Sequence, residues 1–381
     1  MNISAIKKTL ISSHLGRSID SIFRLILSVI PYSHSIISQR KNYKAPNTFV
    51  FFLYGGIGDV VLVLPLLRKI SASKSVILLC DKRISHLSFM FPSNAQIEIY
   101  NKKFFVKSIS NLKGKIPIGE SIFVQISPII ELYLVRFILG IPKAIGLISS
   151  FYSFRSIGLY SAAVNVKEKN KIAIYDKLYE FISDTLFFNE GLESIYKQSI
   201  AEDFQYNYIV ISPMKSAEWD MGKINDIEYI KTAEHYVKFY RYKVIFVGSS
   251  EEFQSIESMI HLSTMSNMMI NMAGKTNLEE LSLILSNARF IIANDNGIAH
   301  ISAYFNLKIL VLFMFSDPKV YQWDGDNYAY IFNQKYNCMP CVGLSQYPKD
   351  NYPVICQNNL FCNKTISHID ILNKIKELEW Y

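Results

Sequence analysis

A polar turn between two apolar runs carries the residues best suited to chemistry in this sequence. Asn294, Asp295, Asn296 and Gly297 follow the apolar residues FIIA, and His300 comes one helical turn later. A strand, a turn and a helix in this order place backbone N–H groups and the positive end of a helix dipole at the carboxyl edge of a sheet. Such an edge can hold an anion, for example a diphosphate. The same residues also suit a plainer role, in which Asp295 and Asn296 cap the helix and His300 is half-buried on it.

A glycine-rich turn follows the first apolar strand, NTFVFFLY, and leads into the apolar helix VVLVLPLLRKI. Gly56 and Gly58 allow a sharp turn and the close approach of a ligand. Asp59 ends this turn, and a carboxylate at the end of a strand can act as a general base towards a hydroxyl group. Asp59 can equally be the N-cap of the helix. The glycines do not match the G-x-G-x-x-G pattern of dinucleotide-binding proteins, so that class is excluded.

Three more turns follow predicted strands in the second half of the chain. The loop SPMKSAEW contains Lys215 and Ser216, the turn GSSE contains Glu251, and Met272 precedes the turn AGKT. The Gly-Lys-Thr sequence is not a P-loop, because Met269 stands where that motif requires glycine. In a parallel sheet these turns lie at the carboxyl edge, which is where ligands of α/β proteins bind.

The order of predicted elements is that of an α/β protein with mostly parallel sheets. A chain of 381 residues can form two domains of ordinary size. We expect a leader over 1–45, an amino-terminal domain over 46–195 and a carboxyl-terminal domain over 205–381. Strands are predicted at 47–54, 75–80, 96–100, 121–126, 144–147, 208–211, 243–247, 268–272, 290–293 and 308–313. Helices are predicted at 128–139, 172–187, 226–240, 278–286 and 367–380, with a further helix opening at Ile298.

Composition and charge exclude two classes of protein. Half of the residues are hydrophobic and 19% are charged, which excludes a disordered chain. The formal net charge is +8, but residues 1–45 hold seven basic residues against one acidic residue. The rest of the chain is therefore nearly balanced, and a basic nucleic-acid groove is not expected.

The basic leader contains an apolar run, SIFRLILSVI, that is interrupted by charges. It is shorter and more charged than the roughly 20 apolar residues that span a bilayer, and no cleavage site of a signal peptide follows it. Such a segment suits the surface of an anionic membrane. A helix packed on the first domain is the alternative.

Four of the five cysteines form a late cluster with the spacing C-x2-C-x14-C-x5-C. Four thiolates can hold a structural zinc ion, and reduced thiols or a local disulfide are the alternatives. The cluster comprises Cys338, Cys341, Cys356 and Cys362.

Taken together, these segments resemble glycosyltransferase family 9, the heptosyltransferases of lipopolysaccharide core assembly. The resemblance is carried by GGIGDVVLVLPLLRKI, the SPMKSAEW loop, the long stretch AGKTNLEELSLILSNARFIIANDNGIAHISAYF and the cluster that begins CMPC. It covers residues 48 to 372. The resemblance implies the GT-B fold, in which two Rossmann-like domains face each other across a cleft. The acceptor is then on the amino-terminal side and the nucleotide-sugar on the carboxyl-terminal side.

The resemblance also implies roles for individual residues. Asp59 matches the catalytic aspartate of the family, with Gly56 and Gly58 in the acceptor-side loop. Asp295, Asn296, Gly297 and His300 fall on the D-T-G-x-x-H motif that binds the donor phosphates. Glu251 matches a ribose-binding acid, and Met272 lies where a nucleobase rests. The family inverts the sugar by direct displacement without a catalytic metal or other cofactor.

Two positions depart from the family pattern. Asn296 replaces its threonine, and Ala217 stands where a phosphate-binding lysine is expected, so Lys215 and Ser216 are the remaining donor-binding candidates of that loop.

From the resemblance and the basic leader, we expect an enzyme at the cytoplasmic face of the inner membrane. Its expected partners are a nucleotide-sugar donor, ADP-heptose first, and a lipid-linked oligosaccharide acceptor. A non-catalytic nucleotide-sugar-binding or assembly protein is the alternative, because the lysine is missing.

Overall fold

A computed structural model shows two compact units, each built on one six-stranded sheet. It describes residues 46–126, 130–141, 143–149, 162–166, 170–186, 207–213, 223–314, 316–337, 339–340 and 361–381. Every strand pair within this described part of the chain is parallel, which confirms the predicted α/β class.

The first sheet has the strand order β3-β2-β1-β4-β5-β6. The central strand β1 and its neighbours β2 and β4 have continuous apolar centres rather than alternating patterns, which is typical of parallel strands covered on both faces. All five residues of β1 are buried. The strands are β1 (Thr48–Phe52), β2 (Ser75–Asp81), β3 (Gln96–Tyr100), β4 (Ser121–Gln125), β5 (Lys143–Ser149) and β6 (Ala162–Val166).

Helices lie in the connections from β1 to β2, β2 to β3, β3 to β4 and β4 to β5, as parallel pairing requires. The aromatic rings of Phe52, Tyr100 and Phe105 pack together beside the end of β1, with ring centroids 4.8 to 6.1 Å apart. The helices of this half of the chain are α1 (Ile57–Ser71), α2 (Lys82–Ser85), α3 (Phe105–Leu112), α4 (Ile130–Leu139) and α5 (Lys171–Leu186).

The second sheet has the strand order β12-β11-β10-β7-β8-β9. Its strands are β7 (Tyr208–Ser212), β8 (Lys243–Phe246), β9 (Met269–Asn271), β10 (Ile291–Asn294), β11 (Ile309–Leu312) and β12 (Tyr328–Ile331). The helices are α6 (Asp226–Tyr240), α7 (Phe253–Ile260), α8 (Leu278–Ser286), α9 (Gly297–Tyr304), α10 (Pro318–Tyr321) and α11 (His368–Glu377). Strand β10 lies inside the sheet, between β11 and β7, so its carboxyl end opens onto the middle of the sheet edge.

The predicted strands and helices are present, with ends that differ by up to three residues. Five elements were not predicted from the sequence: β6, β12, α3 and the short helices α2 and α10. Strand β6 is short and carries Asn165 among its apolar residues, and β12 is a four-residue edge strand. The domain limits 46–195 and 205–381 stay a prediction, because the residues around the boundary lie outside the described ranges.

Candidate functional site

The carboxyl end of β10 is held by buried polar contacts. The Tyr229 hydroxyl donates to Asn294 Oδ1 at 2.7 Å, and Asn294 Nδ2 donates to the carbonyl of Pro213 at 2.5 Å. Burial raises the pKa of Tyr229, so the hydroxyl keeps its proton as a donor. A buried amide without hydrogen-bond partners destabilises the folded protein, so this network holds Asn294 in one position. The position of the next residue, Asp295, is thereby fixed.

Asn296 caps helix α9. Its side-chain oxygen accepts hydrogen bonds from the N–H groups of Ile298 and Ala299, at 3.0 and 3.1 Å. Its Nδ2 donates to Ser212 Oγ, at the end of β7, over 2.9 Å. The capping role considered from the sequence is therefore the one that the Asn296 side chain performs. The helix begins at Gly297, one residue earlier than predicted.

Asp295 and His300 form a buried pair. His300 Nε2 lies 3.3 Å from Asp295 Oδ1, and both side chains are less than a tenth exposed. The hydroxyl of Ser316 donates to the second carboxylate oxygen, Asp295 Oδ2. On the other side of the ring, Trp323 Nε1 donates to His300 Nδ1 at 3.0 Å. Ser316, Asp295, His300 and Trp323 thus form one buried chain of polar contacts at the carboxyl edge of the second sheet.

The pKa of Tyr328 is affected by a member of this chain. Burial is the main cause that raises its pKa well above the ordinary value, and the negative charge of Asp295 adds to it. A carboxylate in this position favours hydroxyl or N–H donors of a ligand over its phosphate oxygens, whereas the positive end of the α9 dipole favours the phosphates.

The turns after β8 and β9 approach each other closely. The Gly274 N–H donates to the Gly248 carbonyl at 3.0 Å. Gly274 has a φ of +66°, and a Cβ atom there would lie 2.5 Å from the Cα atom of Ser250. Glycine is required at this position on both counts. Met272, before this turn, is partly buried and donates its N–H to Phe246.

Glu251 lies on the short turn that contacts Gly274. Its backbone N–H and the hydroxyl groups of Ser249 and Ser250 lower the pKa of this carboxyl group. Glu251 is an exposed, ionised acceptor at the sheet edge. This placement fits the ribose-binding role that the family resemblance implies, and that role stays a prediction.

Asp59 is the third residue of α1 rather than its N-cap, which corrects the alternative drawn from the sequence. Its Oδ2 accepts a hydrogen bond from the N–H of Gly56 at 3.1 Å. The carboxylate, in the first turn of the helix, thus binds back to the backbone of the preceding glycine turn, as the acidic residue of a capping box does. Asp59 is only partly buried, so water and hydroxyl groups can reach it. Its role as a base stays a prediction.

Several predicted site residues lie outside the described ranges. They are Lys215 and Ser216 of the loop after β7, and Cys338, Cys341 and Cys356 of the late cluster. Cys362 is described and is buried. Within the described ranges, no group of three or more potential metal ligands comes together, so the zinc site stays a prediction.

Ser316 and Trp323 belong to the site but were not singled out from the sequence. They lie 21 and 23 residues from Asp295 and His300, respectively. No short motif connects positions so far apart, and only the return of the chain after β11 brings them together. No helix in the described part of the chain has the length and apolar character needed to cross a membrane.

Comparisons with known proteins show which family profile and which solved structures the chain is similar to. Residues 180–350 match the family profile described as glycosyltransferase family 9 (heptosyltransferase). A search of curated proteins by sequence finds no match. Several solved structures are similar over most of the chain, at identities of 12 to 17%, a level that shows the fold alone.

Three of these structures illustrate the similarity. ADP-heptose lipopolysaccharide heptosyltransferase II of E. coli is 17% identical, with a TM-score of 0.59, and covers 87% of this chain and 98% of its own. A glycosyltransferase family 9 protein of Veillonella parvula DSM 2008 has a TM-score of 0.67 at 14% identity, with coverages of 88% and 98%. E. coli heptosyltransferase WaaC with ADP has a TM-score of 0.63 at 12% identity, with coverages of 87% and 99%.

These similarities confirm the GT-B fold that the sequence resemblance implies. The profile match includes β10, α9 and the Asp295–His300 pair. It also confirms the resemblance itself. Residues 180–350, here called the family 9 segment, thus carry the similarity to glycosyltransferase family 9.

Proposed function

We propose that this protein is an inverting, metal-independent glycosyltransferase. It moves a heptose or a related sugar from a nucleotide-sugar, first of all ADP-heptose, to a lipopolysaccharide or lipooligosaccharide core acceptor. The observation that carries the proposal is the Asp295–His300 pair beside the α9 amino terminus, inside the family 9 segment. The likeness to a heptosyltransferase structure with ADP supports the choice of nucleotide.

The reaction needs a base and a site that stabilises the leaving group. The Asp59 carboxylate takes the proton of the acceptor hydroxyl as its oxygen attacks the anomeric carbon. The bond from that carbon to the diphosphate oxygen breaks at the same time, and the nucleoside diphosphate leaves with the electron pair. Attack from the face opposite the leaving group inverts the anomeric centre.

The donor is proposed to lie along the carboxyl edge of the second sheet. The α9 dipole and the Gly297 N–H face the diphosphate, and the developing charge is stabilised by these fixed dipoles. Asp295 accepts hydrogen bonds from donor hydroxyl groups. Glu251 and Met272, on the turns after β8 and β9, take the ribose and the base. Lys215 and Ser216 supply the loop contacts that the family lysine makes elsewhere.

We further propose that the enzyme works at the inner face of the inner membrane. The acceptor is lipid-linked, and residues 1–45 hold most of the positive charge of the chain. A basic segment is attracted to anionic lipids by about 1 kcal/mol for each lysine or arginine near the surface.

A transfer assay tests the proposal directly. The wild-type protein is incubated with ADP-heptose and a heptose-deficient core acceptor, and ADP release and the glycosylated product are measured. Asp59→Asn should reduce kcat by about 10²- to 10⁴-fold, the usual contribution of a general base. Asp184→Asn removes an exposed carboxylate of α5 and should leave kcat unchanged. An Asp59→Asn enzyme of wild-type activity would remove Asp59 as the base.

The alternative is a nucleotide-sugar-binding protein without transfer activity. The observation that favours it is Ala217, in place of the lysine that the family uses to hold phosphate. This protein would bind ADP-heptose but release no ADP with any core acceptor. Restoration of activity by Ala217→Lys would show that the lost lysine alone disabled the enzyme.

A further inference from the structure

The hydrogen bond from Trp323 to His300 defines the protonation pattern of the imidazole. An indole N–H can only donate, so Nδ1 of His300 must accept with its lone pair. The ring proton then lies on Nε2, which faces Asp295 Oδ1 at 3.3 Å. A proton on Nδ1 would set two N–H groups against each other at 3.0 Å, inside the protein.

This tautomer completes the surroundings of Asp295. The Nε2 proton then faces Asp295 Oδ1, 3.3 Å from the nitrogen, while Asp295 Oδ2 accepts a hydrogen bond from Ser316 Oγ. With the other tautomer, the lone pair of Nε2 would face the carboxylate, and the two acceptors would repel each other. Asp295 would then move, and its position relative to the α9 amino terminus would change.

Trp323 is itself held in place. Its side chain is 6% exposed. The ring of Tyr304 meets it edge-on at a centroid distance of 6.3 Å, and Tyr328 hydrogen-bonds to its backbone. Because the indole ring is fixed, its N–H group can hold the His300 imidazole in one orientation at little entropic cost.

We propose that Trp323 is a positioning residue for donor binding, acting through His300. Its indole N–H selects the His300 tautomer that donates to Asp295, and so keeps that carboxylate in the geometry that receives the sugar nucleotide. The inference rests on the proposed function, because it takes the Asp295–His300 pair to be part of the donor site. Trp323 itself is not assigned any contact with the donor.

The first test is spectroscopic and needs no ligand. Nitrogen-15 NMR of histidine-labelled wild-type protein distinguishes a protonated from an unprotonated ring nitrogen, and His300→Asn assigns the signals. The expected spectrum shows Nδ1 unprotonated and Nε2 protonated. A proton on Nδ1 of His300 in the wild-type protein would overturn the proposal, whatever any variant does.

The second test removes only the indole N–H of Trp323. Trp323→Phe keeps an aromatic ring but lacks the N–H, so His300 should populate the other tautomer. The Kd for ADP-heptose should rise about five- to tenfold, as expected for one lost hydrogen bond. Trp380→Phe makes the same chemical change at a buried site of the core, and it should leave both the His300 signals and the Kd unchanged.

The outcomes separate the inference from the proposed function. A Trp323→Phe protein with the wild-type His300 tautomer and an unchanged Kd would contradict the role of Trp323. A wild-type protein that binds neither ADP nor ADP-heptose would contradict the proposed function instead, while the NMR result would still decide the tautomer. If Trp323→Phe does not fold, the wild-type spectrum alone decides.

Discussion

At the scale of single residues, Asn296 performs the capping role suggested by the sequence and makes a second contact that the sequence did not predict. Its oxygen caps α9, and its nitrogen reaches Ser212 at the end of the neighbouring strand β7. Threonine, which the family has at this position, offers the same capping oxygen but no amide. The substitution therefore keeps the helix terminus and adds a contact between two strand ends.

We expect Asn296→Ala to lower the free energy of unfolding by about 1 kcal/mol, the usual cost of a lost N-cap. It should also weaken ADP binding, because the cap orients the α9 amino terminus. Urea unfolding and calorimetry measure the two effects. Asn277→Ala removes the N-cap of α8 and should cost similar stability without affecting ADP. Equal weakening of ADP binding by both variants would show that the effect is not local to α9.

At the scale of elements, the meeting of the turns after β8 and β9 defines one end of the proposed donor site. Gly274→Ala should destabilise the protein by about 1–2 kcal/mol from its left-handed backbone alone, and more from the clash with Ser250. ADP binding should weaken as the Glu251 turn is displaced. Thermal unfolding and calorimetry of the variant report both changes.

Gly119→Ala is the matched control for Gly274→Ala. Gly119 has no neighbour within 4 Å of an added Cβ atom, so the substitution should be close to neutral. A Gly274→Ala protein with the stability and ADP affinity of Gly119→Ala would contradict the close approach of the two turns.

Another element-level contact joins the carboxyl ends of β2 and β3. Burial alone would raise the pKa of Asp81, but hydrogen bonds from Lys102, Arg83 and the Ile84 N–H outweigh it and lower this pKa to about 2. An unfolded aspartate has a pKa of about 3.9. Since the folded pKa is the lower one, the ionised pair stabilises the fold above pH 4, and this stability is lost as the pH falls towards 2.

Asp81→Asn should therefore lower the free energy of unfolding at pH 7 by about 1 kcal/mol, a value reduced because Lys102 is half exposed. The asparagine still offers the oxygen that caps α2. Urea unfolding at a series of pH values should show the difference from wild type shrinking between pH 4 and pH 2. A difference that is the same at all these pH values would contradict the assigned cause.

At the scale of the whole molecule, the sequence predicts the architecture better than the site. Continuous apolar strands such as β1 and β10 and the glycine-rich and polar turns after them point directly to two parallel α/β sheets. The Asp295 and His300 positions follow from the same turn. Local pattern predicts these features because each depends on neighbouring residues.

The parts that the sequence did not predict depend on packing between distant segments. Trp323 reaches His300, and Ser316 reaches Asp295, only after the chain has passed through β11. Asp59 lies inside α1 rather than before it because the helix begins at Ile57. The glycines before Asp59 are compatible with several starting points, so the sequence alone does not define the first residue of the helix. Strand β12 is recognised only by its pairing with β11.

The proposed function depends on a nucleotide-sugar site at the carboxyl edge of the second sheet. Calorimetric titration of the wild-type protein with ADP, UDP and GDP, repeated on Asp295→Ala, tests this claim most directly, with urea unfolding of the variant as the control for its fold. We predict that ADP binds the wild-type protein more tightly than the other two, and that a folded Asp295→Ala protein binds it at least tenfold more weakly. Equal ADP affinity in the two proteins, or no binding of any nucleotide to the wild type, would contradict the account.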